Sequence, residues 1–154
     1  MYTDGIDLKI NKSVENLCDW IRKQQYLGWD IYDGLNSPFL GNINNRYIRV
    51  MILQFNKFSP INTRPLFNIE KGIDLKGMAL CAQSYALLYK TTCEERYFIE
   101  MQKSINYVKE RSLKKKYGCH CWASHYFPTT SIDGSTLSIN SPDIIGTCHV
   151  IIAL

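Results

Sequence analysis

The stretch from residue 75 to residue 112 constrains this chain most. Leu75, Met78, Ala79, Ala82, Ala86 and Tyr89 recur at helical spacing, with small residues in the middle of the stripe. Tyr97, Phe98, Met101, Ile105 and Val108 repeat that period after a break at 91–93. Thr92 and Glu95 have capping-box spacing and mark the second start. A link this short folds two helices back on each other as an antiparallel hairpin. The alanines admit another helix at close range.

Three further helical segments are readable. The first covers about 13–25, with Ser13 as its N-cap and Val14, Leu17, Cys18 and Ile21 on one face. The second covers about 44–57. Its apolar face of Ile48, Met51, Ile52 and Phe55 is broadened by Tyr47, Val50 and Leu53, a pattern that predicts burial on more than one side. The last begins at Pro142, with Ser141 as cap, and places Cys148 on a buried stripe. It runs through "DIIGTCHVIIAL" to the C-terminus with no glycine stop and no polar tail. The expectation is a fragment of a longer protein, or a domain whose open side a partner covers.

Strand signals are weak, apart from a short hairpin around the Asp-Gly turn in "TSIDGSTLSI". The fold class is therefore all-α, in one domain over residues 1–154. Residues 26–43, 58–74 and 113–141 exceed ordinary helix–helix links. Long links alternating with a short one place the elaborated loops at one end, where a binding cleft belongs.

Charge and cysteine content narrow the function classes. The net charge is +4, and much of it clusters at Lys109, Arg111, Lys114, Lys115 and Lys116. That cluster reads as a solvated surface near a helix C-terminus, because no wide basic face or nucleic-acid module accompanies it. No stretch approaches the roughly 18 apolar residues of a membrane span. The start "MYTDGIDLKI" has no basic region followed by a long apolar run, so the expected location is the cytoplasm. There, six cysteines are expected as reduced thiols.

The segment "GMALCAQSYALLYKTTCEERYFIEMQKSINYVKERS" resembles a recurring unit of the (α/α)6 toroids of the six-hairpin glycosidase-like group. In that unit a helix ends in an aromatic-rich "LY", a turn carries "T-x-x-E-x-Y", and a second helix returns. "WDIYDGLNSPF", "NKFSPINTRPL", "KGIDLKGMAL" and "YGCHCW" resemble stretches of an uncharacterised prokaryotic branch that accompanies polysaccharide-biosynthesis enzymes. The resemblance covers most of residues 20–154. It implies an incomplete toroid of stacked helical hairpins, matching only the N-terminal part of a full ring, and a role in carbohydrate recognition or processing.

Three stretches hold the candidate chemistry. In "GWDIYDGLNSPF", Asp30, Asp33 and Asn36 offer polar groups to sugar hydroxyls, and Trp29 and Tyr32 offer stacking faces. A glycosidase needs two carboxylates about 5–5.5 Å or about 6.5–9.5 Å apart, and Asp30 with Asp33 is the candidate pair. An Asp33-Gly34 turn capped by Asp30 explains the same residues without catalysis. In "SPINTRPLF" and "KGIDLKG", Arg64 suits an anion, and Lys76 opens a helix whose backbone N–H groups favour one. Arg64 paired with a local acid is the alternative.

The third stretch is "YGCHCWASHYF". Trp122 and Tyr126 fit a pocket rim, with His120 and His125 as hydrogen-bonding groups or assisting acids and bases. The toroid resemblance puts the matching loop at the pocket end. Zinc is the competing reading: Cys119, Cys121, Cys148 and His149 supply ligand types used by lanthionine-forming cyclases, which share the toroid fold. The C-x-C spacing is too tight for an ordinary zinc knuckle, and no cofactor is expected.

The expected ligand is a carbohydrate or a sugar-containing molecule. The alternatives are a non-catalytic helical interaction domain with a protein partner at its open edge, or a zinc-dependent cyclase. Neither nucleic acid nor a membrane is an expected partner.

Overall fold

A computed structural model of the chain describes residues 3–30, 33–123, 129–130, 136–138 and 140–154. The element order is α1 (Thr3–Lys23), a 3₁₀ turn (Asp33–Asn36), α2 (Arg46–Phe58), α3 (Leu75–Thr92), α4 (Glu95–Glu110), α5 (Lys114–Tyr117), β1 (Thr129–Thr130), β2 (Thr136–Leu137) and α6 (Ile144–Ala153). Among the described residues the protein is all-α apart from the two-residue antiparallel pair β1–β2, which lies where the sequence predicts a hairpin.

The core forms where α3, α4 and α6 meet. Leu75, Met78 and Ala79 of α3 pack with Val108 of α4, Val150 of α6 and Trp122 from the loop between them. The small residues of α3 do admit a close neighbour: α6 lies against α3, and buried Gly146 and Val150 form its inner face. A second cluster of Cys18, Tyr85 and Tyr97 joins α1 to the α3–α4 hairpin.

The hairpin link is Cys93 and Glu94, and it works differently from the expected capping box. Cys93 adopts a left-handed conformation (φ 57°) and its N–H donates to the Tyr89 carbonyl. The Thr92 hydroxyl donates back to Leu88 and accepts from the Glu94 N–H. Thr92 therefore finishes α3 instead of starting α4.

Other helix starts also shift. Ser13 lies inside α1, where its hydroxyl donates to the Lys9 carbonyl four residues back, so it does not cap. α6 is capped by Asp143, whose carboxylate accepts from the Gly146 N–H at 2.6 Å, and Ser141 and Pro142 precede it. α2 is capped by Asn45, which accepts from the N–H groups of Tyr47 and Ile48.

The largest departure is α2. Its buried residues are Arg49, Leu53 and Asn56, while Tyr47, Ile48, Met51 and Phe55 face outward. α2 packs against the 3₁₀ turn. The neighbouring loops present groups that need polar partners there. Arg49 donates to the Ile43 carbonyl, and Asn56 accepts from the Thr63 hydroxyl. The buried face of α2 thus carries two polar residues that hydrogen-bond to the neighbouring loops.

The long loops do gather at one end. Gly28 and Gly72 pair as an isolated antiparallel bridge, through hydrogen bonds of 3.0 and 2.9 Å. Arg64 ties the second loop to the first, and β1 lies against the 3₁₀ turn. Among the described residues no helix is long and apolar enough to cross a membrane. All six cysteines are free thiols.

Candidate functional site

At the loop end, the C-terminus of α1 turns sharply. Gln25 and Tyr26 both take left-handed backbone conformations (φ 53° and 63°), uncommon for residues other than glycine. Tyr26 is held by its hydroxyl, which donates to Glu100 at 2.5 Å and lies 3.5 Å from the Tyr85 hydroxyl. The chain then runs through Gly28, Trp29 and Asp30 beside the start of α3. The Trp29 indole N–H donates to the Ile69 carbonyl at 2.8 Å, and Lys71 places its ammonium 4.5 Å from the ring centroid. Lys71 also donates to Gln24, tying the wall to the end of α1.

These elements enclose a cleft of about 280 Å³ between α1 and α3. Trp20, Trp29 and Met78 supply apolar faces; Gln24, Asp30 and Asp74 supply polar groups. Trp20 is 58% exposed and presents its ring to solvent. Asp74 is partly committed, since it caps α3 by accepting from the Gly77 N–H at 2.8 Å. A side chain at Gly28 would meet nothing within 4 Å, so the floor is open at that point. The lining is mostly apolar, with aromatic faces beside two carboxylates and an amide.

Of the sequence-predicted residues, Trp29 and Asp30 line this cleft. Lys76 is half-buried in the first turn of α3, next to the wall residue Gly77. Asp33 does not share the cleft. It is fully buried, and Arg64 donates to it at 2.7 Å while also donating to the Asp30 carbonyl at 2.9 Å. Burial pushes the Asp33 carboxyl up from its ordinary range, and the Arg64 guanidinium pulls it back. The local pairing of Arg64, one of the two alternatives, is therefore what the structure adopts. Asn36 closes the same 3₁₀ turn, and its Nδ2 and the second Asp33 oxygen are buried without hydrogen-bond partners among the described residues.

The "YGCHCW" loop is placed elsewhere. Trp122 is a core residue, not a rim residue: its indole N–H donates to the Val108 carbonyl at 2.7 Å. Its backbone is pinned to α6, with its N–H donating to Thr147 and its carbonyl accepting from the Asp143 N–H. His120 is exposed, stacks on Trp122 with centroids 6.0 Å apart, and has Nδ1 3.1 Å from the Ser112 hydroxyl. Cys121 is buried, whereas Cys119 and Cys148 are exposed. Cys148 thus faces away from the core, contrary to the expected buried stripe. His149 is half-buried on α6, where its carbonyl accepts from Gln83. Among the described residues, no group of three or more His, Cys, Asp or Glu side chains could hold a metal ion. Tyr32, His125 and Tyr126 lie outside the described residues.

Trp20, Gln24 and Asp74 were not singled out from the sequence. Asp74 had a readable signal, an aspartate three residues before a glycine at a helix start. Trp20 had a weaker one, since it falls off the apolar stripe of its helix. Compared with protein-family models, curated proteins and solved structures, the chain matches none.

Proposed function

We propose that this chain is a carbohydrate-recognition domain, an incomplete (α/α)6 toroid with the α1–α3 cleft as its binding site. The observation that carries the reading is the combination of Trp20, Trp29, Asp30 and Gln24 around one open cleft at the loop end. The resemblance of the 77–112 hairpin and of "WDIYDGLNSPF" to toroid sequences supports the same ligand class. Recognition is favoured over hydrolysis because Asp33 is buried and engaged by Arg64, away from the cleft that Asp30 lines.

The test is a tryptophan-fluorescence titration with neutral and acidic mono- and oligosaccharides. Saturable changes are expected for at least one sugar, and Trp29→Leu or Asp30→Asn should weaken binding about tenfold or more. Unchanged affinity in both variants, or no response to any sugar, would defeat the reading. The outward apolar face of α2 favours a second reading, a helical interaction domain.

A further inference from the structure

We infer that the ligand of the α1–α3 cleft carries a protonated amine, and that its class is the amino sugars with a free amino group. The cleft, about 280 Å³, is at the small end of the roughly 300–1,000 Å³ usual for small-molecule sites, so it admits a ligand of about one sugar ring. The amine follows from the charge of the lining. The ring that carries it rests on the carbohydrate reading of the same cleft.

Two carboxylates, Asp30 and Asp74, line the cleft, and no lysine, arginine or histidine does so among the described residues. Both aspartates are half-buried, beside walls that are mostly apolar. A neutral ligand would strip water from these charges and return only hydroxyl hydrogen bonds, whereas an ammonium returns charge-assisted ones. An anionic ligand would meet like charges. The start of α3 adds roughly half a positive charge, less than the full negative charge of the Asp74 that caps it. Cations on the surrounding elements have other partners. Arg64 donates to Asp33, Lys103 lies 3.9 Å from Glu100, and Lys71 lies over Trp29 and donates to Gln24.

The aromatic walls point the same way. Trp20, Tyr26 and Trp29 line the cleft, and the face of such a ring attracts a cation. Two of these rings already hold one: the Lys71 ammonium is 4.5 Å from the Trp29 centroid, and that of Lys103 is 5.2 Å from the Tyr26 centroid. Trp20 is 58% exposed and holds none among the described residues, which leaves its ring for the ligand. Trp20 and the two carboxylates are thus the recognition set for the ammonium. Gln24, whose amide oxygen accepts from Lys71, has its amide N–H groups to donate to a ring hydroxyl.

The experiment is isothermal titration calorimetry of the full chain below neutral pH, with glucosamine, glucose, glucuronate and cyclohexylamine as probes. Glucosamine should bind about tenfold or more tightly than glucose, and glucuronate more weakly than either. Asp30→Asn and Asp74→Asn should each shrink that preference. Asparagine caps a helix as well as aspartate does, so the second variant keeps the start of α3. Trp20→Leu, at an exposed position, should weaken glucosamine binding more than glucose binding. Equal affinity for glucosamine and glucose would overturn the amine and leave the carbohydrate reading standing. Cyclohexylamine binding as tightly as glucosamine, with glucose silent, would uphold the amine and overturn the sugar ring. Binding of no probe, or a preference that survives in both asparagine variants, would overturn the inference.

Discussion

Asp33 carries a cost that the rest of its loop must offset. Its side chain is wholly enclosed, Arg64 is 13% exposed, and among the described residues only one carboxylate oxygen is paired. Removing one partner of such a pair strands the other charge in a poor solvent. Arg64→Met should therefore lower the unfolding free energy by about 3–5 kcal/mol in urea titrations. Adding Asp33→Asn should recover part of the loss, because it removes the stranded charge. Equal losses in the single and double variants would mean that Arg64 acts through packing alone. Tyr26 makes a second residue-level prediction. Burial first, then its hydrogen bonds to Glu100 and Tyr85, hold its hydroxyl well above the ordinary 10.0. The folded state keeps this proton where the unfolded state releases it. The contribution is thus fully present below pH 10 and is lost as pH rises above it. Thermal melts should show stability falling above about pH 10, less steeply in Tyr26→Phe. Parallel slopes would contradict this.

Among the elements, the α3–α4 hairpin was the most legible, because apolar periodicity and a short link point the same way. Its start and stop residues were less so. Thr92 and Ser13 have the chemistry of caps, but each hydroxyl donates to a carbonyl one turn back. α2 was legible as a helix and misleading as a surface. Its period marks Ile48, Met51 and Phe55 as the inner face, and the fold buries Arg49, Leu53 and Asn56 instead. Periodicity records where apolar residues fall; it does not record which loop groups must be satisfied opposite them. Met51→Lys should change stability by less than about 0.5 kcal/mol, while Leu53→Ala should cost about 2 kcal/mol or more. The reverse order in denaturant titrations would show that α2 buries its apolar face.

At the scale of the whole molecule, the all-α class and the gathering of long loops at one end were both readable. The contents of that end were not. Trp122 and Trp29 stand in similarly aromatic, polar stretches, yet one is a core anchor and the other a cleft wall. The difference arises from partners far away in sequence: Val108 and Thr147 for Trp122, Ile69 and Lys71 for Trp29. The loop lock between Gly28 and Gly72 likewise joins two segments whose pairing no local pattern announces. The cleft is the product of that lock, so its floor is the place to test the account. Gly28 lines the cleft, has open space where a side chain would go and has no left-handed backbone to preserve, so Gly28→Val should fold with wild-type stability and narrow the cleft. The deciding measurement is backbone amide chemical-shift mapping during titration with the sugar that binds best. The account predicts shifts concentrated at 20–30 and 72–81 in the wild type and lost in Gly28→Val. Shifts centred on 113–123 or on α6, or shifts that survive in Gly28→Val, would contradict it.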